Sequence, residues 1–349
     1  MGDAIRSASR STKYFVCEVA TKAPGGIAHQ TGFLKPQIGV VTTVGLDHYK
    51  QFRSLEAIAT EKGRLVESLP PDGTAILNAD DPHVRAMASR TSARVLTFGL
   101  SQEADVRATE VSSAFPDRLS LTVTHGEERV RVQTSLVGEH WVTSVLAALS
   151  CGVTCGMSLK ACAEAIGAVQ PALGRYSVHG TDHGATYVLD SAKSPYWTIA
   201  SGLQFVMNAR ATRKTIVFGT ISDYAGAASK HYRRVARQAL EVADRVIFVG
   251  AQSGHVDKLR KGDVRDRLLS VQTAHQVSAL LAERIVPGEL IYVKASRNAD
   301  HLERIMLSQL DRVVCWREGC RRNLFCPDCR WYRVPSPPPF GLVETQNAA

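Results

Sequence analysis

The sequence predicts an α/β protein of two domains with a cysteine-rich tail, and three observations carry that reading. Short, nearly continuous apolar runs alternate with stretches of helical spacing along 349 residues, as strands buried on both faces of a parallel sheet alternate with their crossover helices. Apolar residues make up 44% and charged residues 21%, a globular composition on a chain long enough for two cores. Four of the eight cysteines, Cys315, Cys320, Cys326 and Cys329, crowd together after the last helical pattern.

Taken in order, Tyr14 to Ala20 and Ile38 to Val44 read as buried strands. Ser54 to Leu69 has helical spacing at Leu55, Ile58, Leu65 and Leu69, and Pro70-Pro71-Asp72-Gly73 stops it. Thr74 to Leu77 is a short strand, Pro82 to Ser89 a helix and Val95 to Phe98 a strand. The character changes between 103 and 136, where Leu119 to Thr124 and Val130 to Thr134 alternate apolar and polar residues as half-exposed antiparallel strands do. His140 to Cys151 and Ser158 to Val169 read as helices, and Gln170 to Gly174 as the linker. A second α/β unit follows. Its strands are Tyr187 to Leu189, Thr215 to Phe218, Arg245 to Val249 and Glu289 to Val293. Helices are expected at Tyr196 to Met207, Ser229 to Val242, Ala274 to Ala282 and Ala299 to Leu310. The tail from Val313 is rich in Arg, Cys and Pro and ends in a polar segment of disordered composition.

Composition sets limits on function. No apolar run reaches the ~18 residues of a spanning helix, and the N-terminus Met-Gly-Asp-Ala-Ile-Arg-Ser lacks a secretory core, so a cytoplasmic protein is expected. The formal charge of +9 is spread among acids, which favours a solvated basic surface suited to anionic substrates over a dedicated nucleic-acid site. Cys17, Cys151, Cys155 and Cys162 lie in apolar stretches and are expected to be reduced, buried small hydrophobes.

The chemistry-bearing residues come at element ends. Glu18 closes an apolar run, where a carboxylate is costly unless paired or metal-bound. His48 follows Asp47 in the string Thr43 to His48, and Lys62 lies in Glu61-Lys62-Gly63 on the next helix. Asn78-Ala-Asp-Asp-Pro82 is a helix start in which Asp80 or Asp81 can cap and Pro82 suits the first turn. Further on stand Gly138-Glu-His140, Gly174-Arg175, Asp190-Ser-Ala-Lys193-Ser-Pro195, Phe218-Gly219-Thr220 with Asp223, Gly226 and His231, and Lys294-Ala-Ser296-Arg297. Lys294 and Arg297 are natural partners for a carboxylate or phosphate.

The order and spacing of these strings over about residues 14 to 310 resemble the Mur ligases, ATP-dependent enzymes that join a carboxylate to an amino acid. The C-terminal strings are most similar to the branch that adds D-alanyl-D-alanine. The resemblance implies that Glu18, His48 and a carbamylated Lys62 hold magnesium, an ion suited to oxygen ligands and phosphates. Carbamylation requires a neutral Lys62 amine, hence a depressed pKa. It also implies that Asn78 reads adenine, that His140, Arg175, Asp190 and Lys193 contact the nucleotide, and that Lys294, Ser296 and Arg297 contact the substrate. Where the family carries asparagines, this chain has Trp141, Ser144 and Ser194.

One departure is large. The sequence contains no Gly-x-x-x-x-Gly-Lys-Ser/Thr loop, which the family places on a strand and helix upstream of the Glu18 run. The expected architecture is therefore an incomplete central P-loop-like domain with a parallel sheet over 1–172. A Rossmann-like C-terminal domain over 173–312 and a four-cysteine tail over 313–349 complete it. The expected function is ATP-dependent amide formation through an acyl phosphate on a small carboxylate and an amino acid, with cell-wall precursors as one setting. Two alternatives stand beside it: a non-catalytic nucleotide-binding or regulatory descendant, and a zinc-tailed adaptor for protein or nucleic acid. Whether a partner chain supplies the phosphate loop is left open. For the tail, the Cys-Pro-Asp-Cys pair and four thiolates predict one structural zinc, with disulfides, an iron–sulfur cluster or unliganded thiols as the other readings.

Overall fold

The computed structural model describes residues 9, 11–21, 23–45 and 49–335. The first sheet orders its strands β1-β2-β3-β4-β5-β6. These are β1 (Ile38–Val41), β2 (Thr74–Asn78), β3 (Arg94–Gly99), β4 (Val106–Ser112), β5 (Ser120–His125) and β6 (Glu128–Gln133). Pairing is parallel from β1 to β4 and antiparallel from β4 to β6. The parallel strands carry the buried runs, such as Ala75–Asn78 in β2, because helices cover both of their faces. One cover is α2 (Leu55–Glu67), with Ile58 and Val66 against β1 and β2; the other is α4 (Val142–Thr154), with Val145, Leu146 and Leu149 over β2, β3 and β5. Ser54 caps α2 by accepting from Ala57 N–H. α5 (Leu159–Gly167) closes this half.

Ahead of β1 lies α1 (Gly26–Leu34), a helix the residue spacing did not predict. It lacks a strong apolar stripe and opens on Gly25 at φ 83. Its first amides are satisfied from a distance: Glu61 of α2, itself buried, accepts from Gly25 N–H and Ile27 N–H at 2.8 Å each. A carboxylate is well placed at a helix N-terminus.

The strand expected at 14–20 is not formed. Among the described residues β1 is the sheet edge, and nothing pairs with the 14–20 segment, so Val16 stands 95% exposed and Glu18 is exposed as well. A run of apolar residues becomes a strand only when a neighbour takes its backbone donors and acceptors. The cysteines expected in cores divide likewise: Cys162 is buried, whereas Cys17, Cys151 and Cys155 are partly exposed.

The second sheet has the order β11-β10-β9-β12-β8-β7. Its strands are β7 (Ser177–Gly180), β8 (Thr186–Asp190), β9 (Arg213–Phe218), β10 (Arg245–Val249), β11 (Leu268–Val271) and β12 (Glu289–Lys294). All pairs are parallel except β7–β8. α6 (Ile199–Asn208) and α7 (Ala228–Val242) cover one face; α8 (Ala274–Arg284) and α10 (Glu303–Leu310) cover the other. The single helix expected from Ala299 to Leu310 is broken. A short α9 (Arg297–Asp300) ends at His301, φ 49, before α10 begins.

Candidate functional site

Three of the sequence strings meet at the carboxyl ends of β1 and β2, the edge where open parallel sheets place ligand sites. The turn after β1 is the meeting point. Asn78 Nδ2 donates to Thr42 O at 2.8 Å, Lys62 Nζ donates to Thr43 O at 2.7 Å, and Asp81 Oδ2 accepts from Val44 N–H and the Thr43 hydroxyl. Asp81 is the cap of α3 (Pro82–Arg85), accepting from His83 and Val84 N–H. Burial would raise its pKa, but the donors Val44, Val84, Thr43 and His83 hold it below the ordinary value. Asp80 does different work: it accepts from Leu100 and Ser101 N–H at 2.7 and 2.9 Å, tying the β3 exit to this edge. Gly63 is buried beneath Arg90, whose guanidinium would lie 2.0 Å from a Cβ there and which donates to Ala59 O and Thr60 O. A side chain after Lys62 would displace this guanidinium from those carbonyls.

Beside this edge a cleft of about 340 Å³ lies between the two sheets' units. Asn78, Asp80 and Phe98 form one wall, His140 a second, and Gln204 and Phe205 of α6 a third. Apolar walls with a few fixed polar groups suit a flat heterocycle with hydrogen-bonding edges. Asn78 is buried and oriented, its Oδ1 accepting from Asp80 N–H at 3.0 Å. His140 sits in the turn before α4 and packs on Tyr176 with ring centroids 3.8 Å apart; its Nε2 is buried with no partner. Burial, with the Lys294 charge adding, lowers its pKa to about 4.

From His140 a chain of contacts leads to the second sheet. Tyr176 Oη lies 3.1 Å from Tyr292 Oη, and Tyr292 donates to Asp190 Oδ2 at 2.8 Å. Asp190 and Lys294 are register partners at the carboxyl ends of β8 and β12, and form a buried ion pair at 2.6 Å. Lys294 also donates to Lys193 O. Burial lowers the Lys294 pKa against the opposing effect of Asp190, and the nearby Arg175 lowers it further. The Arg175 and Lys193 side chains are exposed. Ser296 caps no amide with its side chain, but its N–H donates to Asp300 Oδ2, which also takes Thr220 N–H. Asp300 thereby pins the Gly219-Thr220 turn, and a Cβ at Gly219 would lie 2.4 Å from its carboxylate. Arg297 donates to Asn323 of the tail at 2.6 Å and lies over the Phe325 ring at 4.8 Å.

The structure brings Lys62 to Asn78, and Asp190 to Lys294. Of the three residues expected to hold magnesium, the described structure places two. Glu18 is exposed on an unpaired segment, His48 lies outside the described residues, and Lys62 Nζ acts as a donor to a carbonyl. Residue reasoning missed Glu61, Tyr176, Tyr292 and Asp300. Only Glu61, adjacent to Lys62 in the quoted string, carried a visible signal. The four tail cysteines line one small cavity with His301, and Cys315 and Cys326 are buried.

With this geometry in hand, relatives are informative. The family described as Mur ligase middle domain matches residues 3–152. A UDP-N-acetylmuramoyl-tripeptide--D-alanyl-D-alanine ligase of Mycobacterium tuberculosis is 30% identical over 315 residues, covering 84% of this chain and 62% of that protein. Its Mycobacterium leprae counterpart is 29% identical over 324 residues, with 83% and 62% covered. Among solved structures, the UDP-N-acetylmuramoylalanyl-D-glutamyl-2,6-diaminopimelate--D-alanyl-D-alanyl ligase of Acinetobacter baumannii shares the fold at TM-score 0.73 and 18% identity, covering 84% of this chain and 62% of that one. The MurF ligase of Thermotoga maritima, solved in complex with ADP, gives 0.71 and 20%, with 83% and 65% covered. Residues 3–152 of this chain are thus similar to the Mur ligase middle domain, and over most of its length the sequence is similar to the D-alanyl-D-alanine-adding Mur ligases. It spans about 62% of the length of these curated relatives.

Proposed function

We propose that this chain serves Mur-type ligation in the cytoplasm, binding an adenine nucleotide in the cleft between its two α/β units, 1–172 and 173–312. Support comes above all from one observation: Asn78, buried and held on both sides of its amide, faces a cleft walled by Phe98, His140 and Phe205. In such a ligation the substrate carboxylate takes the terminal phosphoryl group of ATP, giving an acyl phosphate and ADP. The amino-acid amine then attacks the acyl carbon, phosphate leaves with the C–O bonding pair, and the amine's proton passes to solvent. Asn78 would read the base edge and neutral His140 would close the cleft. Arg175 and Lys193 would present exposed cations to the phosphates. The Asp190–Lys294 pair would fix the loops that carry Lys193, Ser296 and Arg297, with Arg297 facing a carboxylate-bearing cell-wall precursor.

A second reading, binding without turnover, is favoured by one feature of the sequence: it contains no phosphate loop. Backbone amides and a lysine on the phosphates carry most of the charge stabilisation in phosphoryl transfer. This polypeptide alone is therefore expected to bind ADP and to turn ATP over negligibly.

Calorimetric titration of the full chain with ADP tests the proposal. Binding should be measurable, and Asn78→Ala should weaken it by about tenfold, the effect of losing one hydrogen-bonding group, while the thermal transition confirms a folded variant. Undetectable ADP binding, or equal affinity in the variant, would overturn the cleft assignment. Robust ATP turnover silenced by Lys62→Ala would show that phosphates are gripped without the loop.

A further inference from the structure

The junction between α10 and the tail holds a cluster that ligation does not use. His301, Glu303 and Cys326 are all buried, and their ligand-type atoms lie within 4.8 Å of one another, the one such triad among the described residues. His301 Nδ1 is 3.7 Å from Cys326 Sγ and 3.3 Å from Glu303 Oε1. A tetrahedral zinc with Zn–S of about 2.3 Å and Zn–N and Zn–O of about 2.0 Å has S···N and N···O edges of about 3.5 and 3.3 Å. The observed edges lie within about 0.2 Å of these. The cavity beside the triad is small, about 10 Å³, room for roughly one water-sized body, and is lined by the tail cysteines and Tyr332.

An ordinary histidine–carboxylate hydrogen bond leaves too much unexplained. Glu303 Oε1 accepts from Cys326 N–H at 3.0 Å, but the second oxygen of this buried carboxylate, Oε2, has no hydrogen-bond partner, and such an atom is costly. The obvious counter-charge, Arg304, is buried too, yet donates to the backbone carbonyls of Asp300, His301, Cys315 and Arg317 and not to Glu303. His301 also sits at φ 49, a left-handed conformation that a non-glycine residue rarely adopts without a compensating role.

We propose that His301, Glu303 and Cys326, with the buried Cys315 as fourth ligand, bind one zinc-class divalent cation that fastens the tail to the C-terminal domain. This differs from the four-thiolate expectation: the helix break supplies two ligands and the tail two. Mixed nitrogen, oxygen and sulfur donors suit zinc, and binding releases the thiol protons. The inference does not depend on the ligase reading, although the two touch. Asn323 and Phe325, immediately before Cys326, are the tail residues that hold Arg297, so the metal would set that arginine's position.

Zinc-edge X-ray absorption and elemental analysis of the full chain, purified without added metal, test it on the unaltered protein. About one zinc per chain is expected, with a first shell containing nitrogen or oxygen at ~2.0–2.1 Å as well as sulfur at ~2.3 Å. His301→Asn, which tolerates the left-handed backbone, and Cys326→Ser should each lower zinc affinity at least tenfold. A shell of sulfur alone would return the site to four tail thiolates and overturn the proposal. So would a chain that binds no zinc when it is supplied, or a His301→Asn protein with undiminished affinity.

Discussion

His140 shows how one residue's surroundings set a measurable property. Its pKa of about 4 in the folded chain lies below the ~6.5 of an unfolded histidine. Between those values the unfolded chain binds more protons, so the contribution is intact above about pH 6.5 and is lost as pH falls toward 4. The predicted loss between about pH 7.5 and 5 is ~2 kcal/mol. Urea unfolding at both pH values should show it in the wild type and not in His140→Phe, which keeps the stacking on Tyr176. Equal pH dependence in the two proteins would place His140 in water. Little of this was readable from residues. Asn78 and Lys62 stood out because their strings are distinctive, but Tyr176 and Tyr292 are ordinary aromatics until folding sets them between His140 and Asp190. Glu18 misled for the opposite reason: its place at the end of an apolar run said nothing about whether a partner strand is there.

At the scale of elements, the beginnings of β9, β10 and β12 are joined by charge. Glu289, fully buried, accepts from Arg245 at 2.9 Å, Arg213 at 2.5 Å and the Thr215 hydroxyl at 2.5 Å. Removing the carboxylate would leave two guanidinium groups facing each other with Arg245 buried, and deleting one partner of a buried pair costs about 3–5 kcal/mol. Glu289→Ala is therefore predicted to lose that much in chemical denaturation; a loss below ~1 kcal/mol would mean that water already reaches the pair. The strands themselves were the legible part of the fold. β10 and β12 carry short apolar runs, Val246–Val249 and Leu290–Val293, next to charged strand ends, the pattern of strands buried on both faces of a parallel sheet. α1 escaped because its apolar residues make no stripe and its cap is the distant Glu61. β4, with Arg107, Thr109 and Glu110 along it, escaped because its polar face was as visible as its buried one. The His301 break escaped because an αL residue other than glycine leaves no mark in periodicity.

For the whole molecule, the proposed nucleotide site is a cleft whose walls are far apart in sequence, running from Asn78 to Asn208. Local patterns could announce two α/β units and a linker. They could not show that α6 of the second unit would face the β2 exit of the first, since that depends on how the two cores pack. Hydrogen exchange of the full chain with and without saturating ADP tests this most directly, because it reads every backbone amide at once. Slowed exchange is predicted on both walls together, at residues 78–81 and 99–101 of the first unit and around 201–208 in α6 of the second. Slowing confined to one unit, or centred on the Lys294–Asp300 loop with the Asn78 wall unchanged, would contradict a nucleotide site shared between the two units.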